Sequence, residues 1–258
     1  MSNDHDIGVS TGAYFELSLG AALLRIAEVA PSAEILSLGR HSLLQPVNVR
    51  VIEAAGLPFT VHGPFAHFEL GSRSASRHRA AIDLHRRHMW VAAELGALLY
   101  VVHPDMQRRA RGWNPKVAAA LERAFEELSE LQDEIGLPVA IENMPFSRHS
   151  HFIAPGDLDL KGLGLALDTG HAAITGTLND WLATSLVDLR HVHLHDNQGH
   201  RGGDHHQPLG AGVIDLGPIL AVARAAGASI VLEHKDEVSV LASLDHLRSH
   251  GLLVPVPR

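Results

Sequence analysis

Cysteine is absent from all 258 residues. That absence excludes disulfides, thiolate zinc sites, iron–sulfur clusters and a cysteine nucleophile, so any metal must be held by nitrogen and oxygen. No run reaches the length of about 18 apolar residues that a membrane-spanning helix needs. The N-terminus, MSNDHDIGVS, lacks the basic stretch and apolar stretch of a secretory leader, and the chain therefore reads as cytoplasmic. Positive charge is scarce: 21 Lys and Arg stand against 29 Asp and Glu, for a formal net charge of -8. A broad nucleic-acid footprint needs a basic face, so such a partner is disfavoured, although a local basic rim would suffice. A glycine-rich phosphate loop is also missing, because the first apolar run leads into IGVSTG rather than GxGxxG.

What is present is an ordinary globular composition, 46% hydrophobic and 19% charged, on a chain long enough to bury a large core. Short runs rich in Val, Ile and Leu alternate with longer segments of helical period. The runs predict strands at Ile7 to Ser10, Glu34 to Ser37, Phe59 to His62, Leu98 to His103, Pro138 to Glu142, Gly164 to Asp168, His191 to His195 and Ser229 to Glu233. Helices are predicted at Leu19 to Ala30, Pro46 to Ala55, Arg77 to Leu95, Pro115 to Ile135, Leu178 to Leu186, Leu216 to Ala226 and Val238 to Ser249, with a short piece after Pro155. Eight such units with no linker between them predict an α/β protein, a single (β/α)8 TIM barrel domain over residues 1–258. An open doubly wound sheet is the competing architecture, and it lacks its phosphate loop here.

The chain carries 20 histidines. His85 and His88, set among arginines in HRAAIDLHRRHMW, read as a solvated helix face, and so do His246 and His250. The others fall in a pattern. The predicted strands three to eight end in VHGP at His62, VVHP at His103, IENM at Glu142, ALDTGH at Asp168, HVHLHDN at His193 and VLEH at Glu233. Barrel active sites are built at the C-terminal ends of the strands. Six convergent buried polar groups would repel or go unsatisfied without cations. His171 lies one turn beyond Asp168, and Asp204 and His206 sit two apart in GDHHQPLGAG, a spacing that puts both on one side of an extended loop. Imidazole and carboxylate donors without sulfur suit Zn, Mn or Fe, and nine candidates are too many for one ion, so two or three divalent metal ions are expected.

These stretches together resemble the xylose-isomerase-like TIM barrels, the superfamily that includes endonuclease IV and the sugar isomerases and epimerases. Read as that resemblance implies, an endonuclease IV-like trinuclear zinc site maps onto His62, His103, Glu142, Asp168, His171, His193, Asp204, His206 and Glu233. The single-ion site of the isomerases maps onto Glu142, Asp168, His193 and Glu233, with the two glutamates as the catalytic acid and base. ENMP, HLHDN and QPLGAG are closer to the sugar phosphate isomerase/epimerase branch than to endonuclease IV, whose corresponding stretches resemble LENTAG and HLND. The resemblance therefore implies a metal-dependent isomerase or epimerase acting on a small polyhydroxylated or phosphorylated substrate. A phosphodiester hydrolase, a lyase and a metal-binding barrel without catalysis are the alternatives. Arg108, Arg109, Arg111, Arg148 and Arg201 follow strands four, five and seven, where they could pair with an anionic substrate, and Phe65 and Trp113 could stack on a sugar face.

Overall fold

The computed structural model describes residues 7–65, 70–104, 112–145, 150–184, 186–200 and 202–253. Eight parallel strands form a closed barrel: β1 (Ile7–Ser10), β2 (Ala33–Leu36), β3 (Phe59–His62), β4 (Tyr100–Val102), β5 (Val139–Glu142), β6 (Gly164–Asp168), β7 (Leu189–Leu194) and β8 (Ser229–Leu232). Pairing of Ile7 with Ile230 and of Val9 with Leu232 seals β8 to β1, which disposes of the open doubly wound sheet. The strands are short and nearly continuous in apolar residues because both faces are covered, one by helices and one by the barrel interior.

Around the barrel lie α1 (Leu19–Ala27), α2 (Pro46–Ala55), α3 (Ala75–Glu94), α4 (Pro115–Ile135), α5 (Thr169–Thr175), α6 (Leu178–Thr184), α7 (Leu216–Ala226) and α8 (Glu237–Ser249). Helix α4 shows why these segments fold as they do. Asn114 caps its first turn by accepting the Lys116 amide, Pro115 occupies a position whose N–H has no partner, and Gly136 ends it at φ 75°. Its buried stripe, Val117, Leu121, Ala124, Phe125, Leu128 and Leu131, repeats every three or four residues and packs on the barrel. Each large member contributes about 1.5–3 kcal/mol by leaving water.

Two local expectations are corrected. No helix follows Pro155; among the described residues the β5–β6 connection is a chain of turns. Asp157 accepts the amides of Ile153 and Ala154, and Gly156, Lys161 and Gly162 hold positive φ, a combination that breaks helical hydrogen bonding. The β6–β7 connection instead holds two short helices, α5 and α6. His85 and His88 are also not solvated: they are 1% and 2% exposed. They share a stripe with Ala81, Met89 and Ala92 that turns α3 toward the barrel, while the arginines between them stay outside. The His85 Nδ1 lies 3.0 Å from the hydroxyl of Tyr100 on β4. That hydroxyl also explains the glycine of VHGP, since a Cβ on Gly63 would stand 2.5 Å from it. Among the described residues, no helix is long and apolar enough to cross a membrane.

Candidate metal centre

Strand geometry delivers the polar side chains to one end of the barrel. His62, Glu142 and Asp168 are the last residues of β3, β5 and β6. His103 and Glu233 follow β4 and β8 directly, and His193 is the last but one of β7. All nine predicted donors fall into three groups whose ligating atoms lie within 4.8 Å of one another. One is His62, His103 and Glu142; a second is Glu142, Asp168, His193 and Glu233; a third is His171, Asp204 and His206, joined by His195.

Glu142 bridges the first two. Its Oε2 lies 3.0 Å from His62 Nε2 and 3.5 Å from His103 Nε2, and its Oε1 lies 3.6 Å from His193 Nδ1. His193 Nδ1 is also 3.3 Å from Glu233 Oε2. In the third group, Asp204 Oδ1 is 3.2 Å from His206 Nε2 and its Oδ2 is 3.7 Å from His171 Nε2. Asp168 does double duty at the start of α5, where its Oδ1 accepts the His171 amide at 2.6 Å.

The loop that carries Asp204 and His206 is organised by Asp196, just past β7. Its carboxylate accepts the amides of Asn197, Gly210, Gly212 and Ile214 at 2.8–3.1 Å. The loop is not extended as the D-x-H spacing suggested: His206 adopts φ 52°, a left-handed conformation uncommon for a residue with a side chain. Its Nδ1 sits 2.7 Å from the Glu233 carbonyl, which aims Nε2 at Asp204.

Electrostatically the site is a lattice of imidazoles and carboxylates. Burial alone would raise the Glu142 carboxyl, yet His103 and His193 hold it well below the usual carboxylate range. Burial likewise opposes ionisation of Asp168 and Asp204, and in each the neighbouring histidines outweigh it and lower the pKa. Burial would lower the histidines, but Glu142 pushes His62 up to about 9 and Asp168 with Asp204 pushes His171 up to about 10. Asp204 raises His206 to about 9. Among the described residues, three buried atoms aimed into this lattice make no hydrogen bond, namely His193 Nδ1, Asp204 Oδ1 and Glu233 Oε2. Nitrogen and carboxylate donors with orphaned lone pairs fit Zn, Mn or Fe.

Two members escaped sequence reasoning. His195, fully buried, places Nε2 at 3.1 and 3.2 Å from the two oxygens of Asp168 and stacks on His206 with ring centroids 4.0 Å apart. The alternation of HVHLHDN was its signal, since residues 191, 193 and 195 share one face of an extended segment. A second signal was the glycine of DTGH: a Cβ on Gly170 would enter the His195 ring. Glu34, fully buried on β2, faces His191 and His193. Its only local mark was a lone carboxylate inside an apolar strand.

Of the predicted substrate-contacting residues, Phe65 packs its ring against His62 and His103 at 5.4 and 4.8 Å. Arg108, Arg109, Arg111, Arg148 and Arg201 lie outside the described residues. Trp113 is 56% exposed and rests its ring 5.3 Å from His151.

The family described as Xylose isomerase-like TIM barrel matches residues 49–250. A protein of Methanocaldococcus jannaschii of uncharacterised function is 28% identical over 267 residues, covering 96% of this chain and 89% of that protein. A Mycobacterium ulcerans protein described as a probable endonuclease 4 is 28% identical over 201 residues, covering 72% of this chain and 76% of its own. Among solved structures, a D-tagatose 3-epimerase-like protein superposes with a TM-score of 0.84 at 25% identity, covering 96% of this chain and 97% of the other.

Proposed function

Because the chain belongs to the xylose isomerase-like TIM barrel family, we propose that it is a metal-dependent enzyme of the sugar isomerase and epimerase type. Its substrate is a small polyhydroxylated or phosphorylated molecule. The observation that carries this reading is the group of Glu142, Asp168, His193 and Glu233, in which two glutamates, one ending β5 and one just past β8, share one set of donors. A divalent cation held by these four residues supplies polarisation of the substrate's oxygens, which acidifies the neighbouring C–H bond.

Glu142 and Glu233 then divide the proton work. One carboxylate takes the proton from the carbon beside a carbonyl, and the electron pair shifts onto the carbonyl oxygen. The other carboxyl returns a proton, to the opposite face in an epimerisation or to the adjacent atom in an isomerisation. His62 and His103 flank Glu142 at 3.0 and 3.5 Å, which keeps its carboxylate in place. Phe65 closes the wall beside His103 and offers an apolar surface to a sugar ring. The arginines at positions 108, 109, 148 and 201 are assigned to an anionic group on the substrate.

One observation favours a second reading. The donors His62, His103, His171, Asp204 and His206 exceed what proton transfer requires, and three donor groups suit a multi-metal phosphodiester hydrolase.

The test is incubation of the manganese- or zinc-loaded protein with ketoses and their phosphates in D2O, with deuterium incorporation at carbon read by mass spectrometry. Exchange is expected, and Glu233→Gln should reduce it by about 100-fold to 10,000-fold, the contribution of a positioned acid or base. Incision of a duplex carrying an abasic site, without exchange into any sugar, would overturn the reading in favour of the hydrolase.

A further inference from the structure

One step down the barrel interior, His193 is backed by two residues that neither the glutamate chemistry nor the nine-donor set employs, Glu34 and His191. Glu34 on β2 and His191 and His193 on β7 are all fully buried. The two carboxylate oxygens of Glu34 stand 3.0 and 3.2 Å from Nε2 of His193, and its Oε2 stands 3.0 Å from Nε2 of His191. The Thr60 hydroxyl donates to the same Oε2 at 3.4 Å. On its far side, His191 Nδ1 meets the Ser229 hydroxyl at 2.6 Å.

A buried carboxylate without a counter-charge is strongly disfavoured, so an ionised Glu34 demands partners. A carboxylate can only accept hydrogen bonds, so the His193 Nε2 that bonds its Oε2 at 3.2 Å carries hydrogen. For the neutral imidazole the consequence is strict: with hydrogen on Nε2, the lone pair is on Nδ1. In His193, Nδ1 is the atom that points up at Glu142, Asp168 and Glu233 and makes no hydrogen bond.

We propose that Glu34 is a positioning residue for the cation centre, holding His193 by its Nε2 hydrogen so that Nδ1 is the nitrogen presented to the ion. The inference rests on the reading that Glu142, Asp168, His193 and Glu233 bind a cation. A carboxylate behind a ligating histidine fixes the ring's tautomer and plane and raises its basicity, and losing one costs about 10-fold to 100-fold in metal affinity. The cluster also has a rival use, since Glu34, His191 and His193 could themselves hold an ion. That use would require His193 to give up its Nε2 hydrogen, so the two arrangements assign opposite nitrogens of one ring to the metal.

The nitrogen can be read directly. Protein labelled with 15N-histidine and loaded with 113Cd2+ is expected to show cadmium coupling to Nδ1 of His193. Coupling to Nε2 of that ring overturns the proposal. Glu34→Gln, checked for folding by its thermal transition, is expected to bind Cd2+ and Mn2+ about 10-fold to 100-fold more weakly in chelator competition. Affinity equal to that of the unsubstituted protein overturns the proposal while leaving the cation centre intact. Failure of the unsubstituted protein to take up any cation overturns the reading beneath it, and the proposal with it.

Discussion

His85 shows how a single side chain can be misplaced by its neighbours in sequence. Arginines surround it, yet positions 81, 85, 88 and 92 are spaced for one helix face, and that face is buried. Burial pushes its imidazole down to about 3, so the ring packs neutral against Tyr100. In the unfolded chain it takes a proton near pH 6.5. The folded pKa is depressed, so the stabilisation is present above pH 6.5 and is lost as the pH falls toward 3. Over that window His85 should cost about 1.4 kcal/mol of stability for each pH unit. His85→Gln, which does not titrate and can still bond the Tyr100 hydroxyl, is expected to flatten the acid limb by that amount between pH 6 and 4. Denaturant titrations at several pH values give the two slopes, and identical slopes would show that the ring is not held neutral. Periodicity carried this residue's burial, but the charges beside it carried a louder and misleading signal.

At the scale of elements, the strands were legible and the loops were not. β1, β3 and β6 begin and end where the apolar runs do, because a strand covered on both faces has no polar position to blur its edges. The third donor group depends on a loop instead, and the loop depends on Asp196. Nothing in HLHDN marks that aspartate as the organiser of a loop; only its four backbone partners, reaching as far as Ile214, reveal a carboxylate spent on amides. Asp196→Ala should strand those N–H groups at a cost of about 3 kcal/mol and let Asp204 and His206 drift from His171. The expected outcome is a chain that still folds but carries fewer cations, as read by elemental analysis beside its unfolding curve. Retention of the full complement would mean that the loop is held by something other than Asp196. Helix α5 has no sequence signal of its own for a related reason: seven residues are too few for a periodic pattern, and its start is set by Asp168, whose carboxylate caps the helix while it faces the donor group.

For the molecule as a whole, the barrel was readable from the repeat of units and the site from residues at their ends, whereas the contacts across the barrel were not. Glu34 and His193 are 159 positions apart, a pairing that no local pattern announces. Closure of β8 on β1 is what brings such positions together, and it assembles a centre in which protons and cations compete for the same nitrogens. In the metal-free protein, His62, His171 and His206 are raised to about 9, 10 and 9 and pair with buried or half-buried carboxylates. A raised histidine stabilises fully below its unfolded pKa of about 6.5 and loses that contribution as the pH climbs through the folded value. The metal-free protein should therefore weaken from pH 6.5 toward pH 10. The loaded protein should do the opposite relative to it, because ligands must shed protons to bind and cation affinity rises with pH. Two or three ions per chain are expected on elemental analysis, and stripping them with a chelator should lower the melting temperature little at pH 6 and progressively more at pH 7.5 and 9. A gap that stays constant or narrows across that range would mean that the histidines are not exchanging protons for cations, and a count of one ion would remove the support for the hydrolase reading.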